Sequence, residues 1–174
     1  MGAVIDGRTG DPASCSQLGG ALRSAAARLL AVRNDLDAAL SGRSRAASSQ
    51  VMGRRAGGEV HLLDTIAVQL DAAGTLLQHY AQELAQVAES TRRLEADVAH
   101  AGLEMEGLRI LEPWGVAQPD AAARRRAALP ELQMRADRLA SQLGRARAAV
   151  QRTMAASGDV LGRAAAAARA SPEA

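Results

Sequence analysis

The side chains best suited to chemistry in this 174-residue chain are three histidines, His61, His79 and His100. Histidine can bind a metal or move a proton near neutral pH. The three are 18 and 21 residues apart. On one helix that separates them by about 27 and 32 Å, too far to share an ion. His79 with Glu83, and His100 with Glu104, have the i,i+4 spacing that can begin a zinc site. A complete site needs three or four ligands. The alternative is an exposed ion pair worth about a few tenths of a kcal/mol, and that is the reading adopted. Asp97-x-x-His100 matches half of the carboxylate-bridged di-iron signature of helical bundles, and the other half is missing. No phosphate-binding glycine loop follows a strand, because no convincing strand is legible. No Ser/His/Asp set stands out. The chain therefore reads as a non-enzyme with no cofactor and no metal.

Three other features carry less. Cys15 is the only cysteine, so an internal disulfide is excluded; it reads as incidental or as part of a helix cap, with an intermolecular disulfide as the alternative. Arg124-Arg125-Arg126 has the charge to contact phosphates, but lacks stacking aromatics and a helix-turn-helix around it. A solvated face, or a partner for an acidic helix, is the expected role. Trp114, in Pro113-Trp114-Gly115, is expected to plug the end of a helical bundle, with a partner-docking anchor as the other reading.

The elements behind these residues are helices. From Leu63 an apolar stripe runs Ile66, Leu70, Ala73, Leu77, Tyr80, Leu84, Val87, Thr91, Leu94, Val98, Ala101 and Met105, with Thr91 the one polar member. Alternating steps of three and four place it on one side of a helix over residues 59–106. A first stripe, Leu18, Leu22, Ala25, Leu29, Val32, Leu36 and Ala39, predicts a helix over 11–41, with Asp11 as its cap and Pro12 in its first turn. Residues 42–58 read as a glycine- and arginine-rich turn that folds the first helix back on the second. Residues 107–119 read as a Pro/Gly connector. A third stripe from Leu132 to Val160 predicts a helix over 120–168, kinked near Pro130. The fold class is all-α: one 1–174 domain, an elongated antiparallel helical hairpin or coiled-coil bundle with a third C-terminal helix. Leu22, Leu29, Leu36, Leu63, Leu70, Leu77 and Leu84 are its core or interface. The long stripe outruns the first helix, so its second half needs the third helix or another chain.

Composition and charge agree. Lysine and phenylalanine are absent, with one tryptophan and one tyrosine, so the core must be thin and the helices close. Residues 59–106 carry nine acids against Arg92 and Arg93; residues 118–174 carry ten arginines against five acids. These two helices should attract. The N-terminus lacks a basic region followed by an apolar run, so no Sec signal is expected. No stretch of about 18 uncharged apolar residues exists, so no membrane span is expected.

Two stripes joined by a short turn, the segment Thr75–Gly107 and a basic, alanine-rich C-terminal helix together resemble the WXG-motif superfamily of type VII secretion. Its members are antiparallel helical hairpins with Trp-x-Gly in the turn. Here Val51-Met52-Gly53 occupies that place, a degenerate motif. The family's export signal is a tyrosine followed four residues later by an acid. Tyr80 is followed at that distance by Leu84, while His79 and Glu83 keep the spacing without the tyrosine. The resemblance implies a helical protein that is cytoplasmic before export by a non-Sec route. It would act as a secreted substrate or as a targeting or chaperone partner for another helical hairpin, or for a larger secreted toxin. The alternatives are a cytoplasmic coiled-coil scaffold or an arginine-rich nucleic-acid binder.

Overall fold

The computed structural model describes residues 11–43, 50–115 and 118–170. Residues 1–10, 44–49, 116–117 and 171–174 lie outside the described residues, and with them part of the expected turn and of the expected connector. The elements in order are α1 (Pro12–Arg43), α2 (Gln50–His100), β1 (Glu104–Glu106), β2 (Arg109–Leu111) and α3 (Pro119–Ala170). The fold is all-α, a helical hairpin followed by a third helix, with one small β-hairpin between α2 and α3.

Helix α1 starts where its cap dictates. Asp11 Oδ2 accepts hydrogen bonds from the Ser14 backbone N–H at 2.9 Å and the Ser14 hydroxyl at 2.8 Å. Pro12 takes the first helical position, where a missing N–H matters least. Helix α2 begins earlier than the sequence suggests. Gln50 to Gly58 are helical, so Val51-Met52-Gly53 lies inside α2 and not in a turn. A Cβ on Gly57 or Gly58 would meet nothing within 4 Å. Two glycines cost a helix about 1 kcal/mol each, which a long cooperative helix absorbs.

The exit of α2 is also earlier, at His100 rather than residue 106. Gly102 adopts φ +71°. Its N–H donates to Ala99 C=O at 3.0 Å, and the Leu103 N–H donates to Val98 C=O at 3.0 Å. This is the glycine-based stop that satisfies the last helical carbonyls, and Val98 and Leu103 supply its apolar contact. Residues expected to end the helix or to form the connector pair instead as an antiparallel hairpin, with Glu104 opposite Leu111, Met105 opposite Ile110 and Glu106 opposite Arg109. Gly107, at φ +62°, takes the first position of its two-residue loop, where a mirror-type turn needs positive φ. Glu104 therefore cannot pair with His100 at i,i+4.

Helix α3 runs unbroken through Pro130. The proline ring leaves the carbonyl of residue 126 without its helical donor. Pro130 is exposed, so that carbonyl is on the wet side.

The described residues group into two compact units. One holds residues 11–14 and 80–149, the other 15–79 and 150–170. The core of the first is Leu94, Val98, Leu103, Ile110, Leu132 and Ala136, with Ala101, Met105, Leu108, Ala128, Leu129 and Leu139 packed round it. The second half of the α2 stripe is thus covered in cis by α3 and the hairpin. Gln133 of α3 fixes the hairpin: its Oε1 accepts from the Ile110 N–H at 2.9 Å and its Nε2 donates to Leu108 C=O at 3.3 Å. One side-chain amide completes the outer edge of β2 as a further strand would. Arg135 Nη2 donates to Asp97 Oδ2 at 2.6 Å, so α3 and α2 attract as their charges predict.

Candidate interaction surface

Helices α1 and α2 meet along small residues in the second unit. A Cβ on Gly74 would lie 2.6 Å from Gly19 O and 2.6 Å from Arg23 Cγ; one on Gly19 would lie 2.7 Å from Gly74 O. No side chain fits between them, so the backbones touch. The flanks carry ion pairs in antiparallel order. Arg23 Nε donates to Asp71 Oδ1 at 3.3 Å, and its Nη1 to Gln78 Oε1 at 3.1 Å. Arg33 Nη2 lies 3.7 Å from Asp64 Oδ1. The Arg23–Asp71 pair is well exposed and the Arg33–Asp64 pair partly so, so each is worth at most about 1 kcal/mol and mainly fixes register. In the same register stand Ala26 and Ala67, the most buried side chains of this unit at 2% and 1% exposed.

The α1 line that faces α2 is therefore Gly19, Ala26 and Arg33, alternating with Leu22, Leu29 and Leu36. The expected line used Leu18, Ala25, Val32 and Ala39 in place of the first set. It is shifted by one residue at every other position. The physical reason is close approach: two glycines and two alanines let the backbones meet, whereas Leu18 and Val32 would hold them apart. As a result Leu18 and Val32 stay 54% and 55% exposed, and Leu30 and Val68 are exposed as well. Leu22, Leu29 and Leu36 are half-buried between the two lines.

On α2, Leu77 and Leu84 are buried as expected, while Leu63 and Leu70 are half-buried. The four small residues of the seam were missed as its centre. Their signal is the seven-residue interval from Gly19 to Ala26 and from Ala67 to Gly74. Trp114 does not plug the bundle: it is fully exposed, beside Gly115 at φ +130°. Its indole has no apolar cover among the described residues.

The candidate chemistry is dispersed. Among the described residues no group of three or more His, Cys, Asp or Glu stands close enough to hold a metal ion. Asp97 is engaged by Arg135. Arg124 Nε and Arg126 Nε donate to the carbonyls of Asp120 and Ala122 on their own helix, and Arg125 lies against Gly102. Cys15 is a free, half-buried thiol. Asp11 is held below the usual carboxylate range, chiefly by the Ser14 N–H and then by the Ser14 hydroxyl. By length and composition alone, part of Gly57–His100 is apolar enough to cross a bilayer, a property that core helices share. Among the described residues the arrangement offers an exposed apolar helix face on α1. Compared with known proteins, the chain matches no family model, no curated sequence and no solved structure significantly.

Proposed function

We propose that the protein is a non-enzymatic binding partner that packs the free face of α1 against another helical hairpin. The observation that carries this is the exposure of Leu18 and Val32 on a stripe whose neighbours Leu22, Leu29 and Leu36 are only half-covered. An apolar stripe at heptad spacing is stable when a second helix covers it. The resemblance to the WXG-motif superfamily supplies the setting: a type VII secretion substrate, or a targeting or chaperone partner of a co-exported protein. The Val51-Met52-Gly53 segment supports that setting less, because its backbone is helical rather than turned.

A photo-crosslinker placed at Val32 and expressed in the native host tests the binding. The expected product joins Val32 to a helical-hairpin chain, with far less product from a control position on the exposed face of α3 such as Ala166. Equal yields at the two positions would remove the reading. Export is tested separately, by recovering the chain or its crosslinked partner outside cells with and without the secretion ATPase. Indifference to the ATPase would leave a cytoplasmic scaffold as the better description.

A further inference from the structure

The free face of α1 is self-complementary. It is flanked, on the side away from α2, by Arg28 and Asp35, which are exposed and seven residues apart. Neither forms an ion pair within the chain among the described residues. This contrasts with Arg23 and Arg33 on the other flank, which are both engaged with α2. Seven residues are two helical turns, about 10 Å along the axis. Two copies of α1 laid antiparallel, with the twofold axis between Ala31 and Val32, bring Arg28 of each copy level with Asp35 of the other. In the same alignment Leu29, Val32 and Leu36 of one copy fall at heights between those of Leu22, Leu29, Val32 and Leu36 of its mate. The apolar side chains interleave, as knobs into holes require.

We infer that α1 pairs with α1 of a second copy of this chain, antiparallel, closed by two reciprocal Arg28–Asp35 ion pairs. The pairing is isologous, so it stops at a dimer. It rests on the reading of α1 as a binding face and names the partner. The covered stretch is short and its ion pairs are exposed, so the dimer is concentration-dependent and weakens with salt.

The test is a charge-reversal cycle on the purified full-length chain, read by sedimentation velocity across a concentration series. Circular dichroism confirms that each variant keeps its helices, which is expected because both positions are exposed. Arg28→Glu sets like charges against each other twice and should weaken the dimer about tenfold; Asp35→Arg should do the same. The double variant Arg28→Glu/Asp35→Arg should return to within about threefold of the parent, because the pairs re-form with their signs exchanged. Val32→Glu, in the middle of the apolar line, should leave only monomer. The inference is overturned if the parent stays monomeric at every concentration, if either single reversal leaves the dimer unchanged, or if the double variant is no better than the singles. A monomeric parent whose Val32 crosslinks to a different hairpin overturns self-pairing alone. A monomeric parent that gives no Val32 product removes the wider reading with it.

Discussion

Helix α2 passes through two environments. From Leu84 to Val98 its stripe is buried position after position: Leu84, Val87, Thr91, Leu94 and Val98. Large side chains from the hairpin and α3 close over Leu94 and Val98, and a glycine stop, a side-chain amide and an ion pair hold the closure in place. From Val60 to Leu70 the same helix shows mostly half-buried leucines, with Ala67 buried among them, and at Gly74 its backbone meets that of α1. The first environment gains stability from volume, the second from proximity. Glycine and alanine bring backbones together but remove little apolar area from water, so they leave the neighbouring leucines incompletely covered. A chain without phenylalanine and with abundant alanine can fill one core well; here it does so where α3 and the hairpin meet α2.

Substitutions sharpen this contrast, and the largest effect should come from the dense core. Leu94→Ala leaves a cavity with no room to collapse and should destabilise the protein by about 3 kcal/mol, against about 1 kcal/mol for Leu29→Ala on the half-covered face. Urea titration monitored by circular dichroism measures both, and equal losses would erase the distinction. Next comes the close seam. Gly74→Ala improves helix propensity yet forces a methyl group onto Gly19 O and Arg23 Cγ, so a net loss of about 1–2 kcal/mol is expected. Gly158→Ala, where a Cβ meets nothing within 4 Å, should instead stabilise by up to about 1 kcal/mol. A stabilising Gly74→Ala would mean that the two helices stand further apart than the geometry gives.

A comparable or smaller effect is expected at the hairpin. Gln133→Leu keeps the bulk but leaves the Ile110 N–H and Leu108 C=O without partners, at about 1–2 kcal/mol. Amide exchange at Ile110 should rise sharply; unchanged exchange there would show that another group holds the edge. The smallest effect lies at the cap of α1. Asp11 is held below its unfolded value by hydrogen bonds from Ser14, so its contribution is complete above the unfolded carboxylate pKa and is lost as pH falls through the lowered folded one. Asp11→Asn keeps the cap without the titration and should lose less helix in acid than the parent. Identical acid profiles would dismiss the cap as the cause.

Much of this was legible in the residues. Every position of the 3-4 stripe on α2 from Ala73 to Val98 proves buried, with Gly74 and Ala81 buried beside it, because one long amphipathic helix leaves little choice of face. Asp11-Pro12 marked the start of α1 because capping is local chemistry. The hairpin was overlooked although Glu-Met-Glu-Gly-Leu-Arg-Ile-Leu alternates polar and apolar residues about a Gly-x turn; it continued a helical stripe in register, and Ala101 and Met105 fitted both periods. The α1 face was misassigned for a related reason. Pattern reading ranks lines by their large apolar residues, whereas two backbones approach most closely along the line with the smallest ones. The exposed apolar line of α1 was therefore visible as a stripe but taken for part of the seam beside it. Trp114 carried no pattern at all, since a single aromatic among Pro and Gly has no period to place it.

Amide hydrogen exchange on the dilute chain, resolved by peptide, tests the contrast between the two regions most directly. Peptides covering residues 94–110 and 132–136 should exchange slowest, and peptides covering residues 18–36 should exchange much faster despite belonging to an equally regular helix. Protection of residues 18–36 equal to that of residues 94–110 in the dilute chain would contradict the view that α1 carries a face still to be covered.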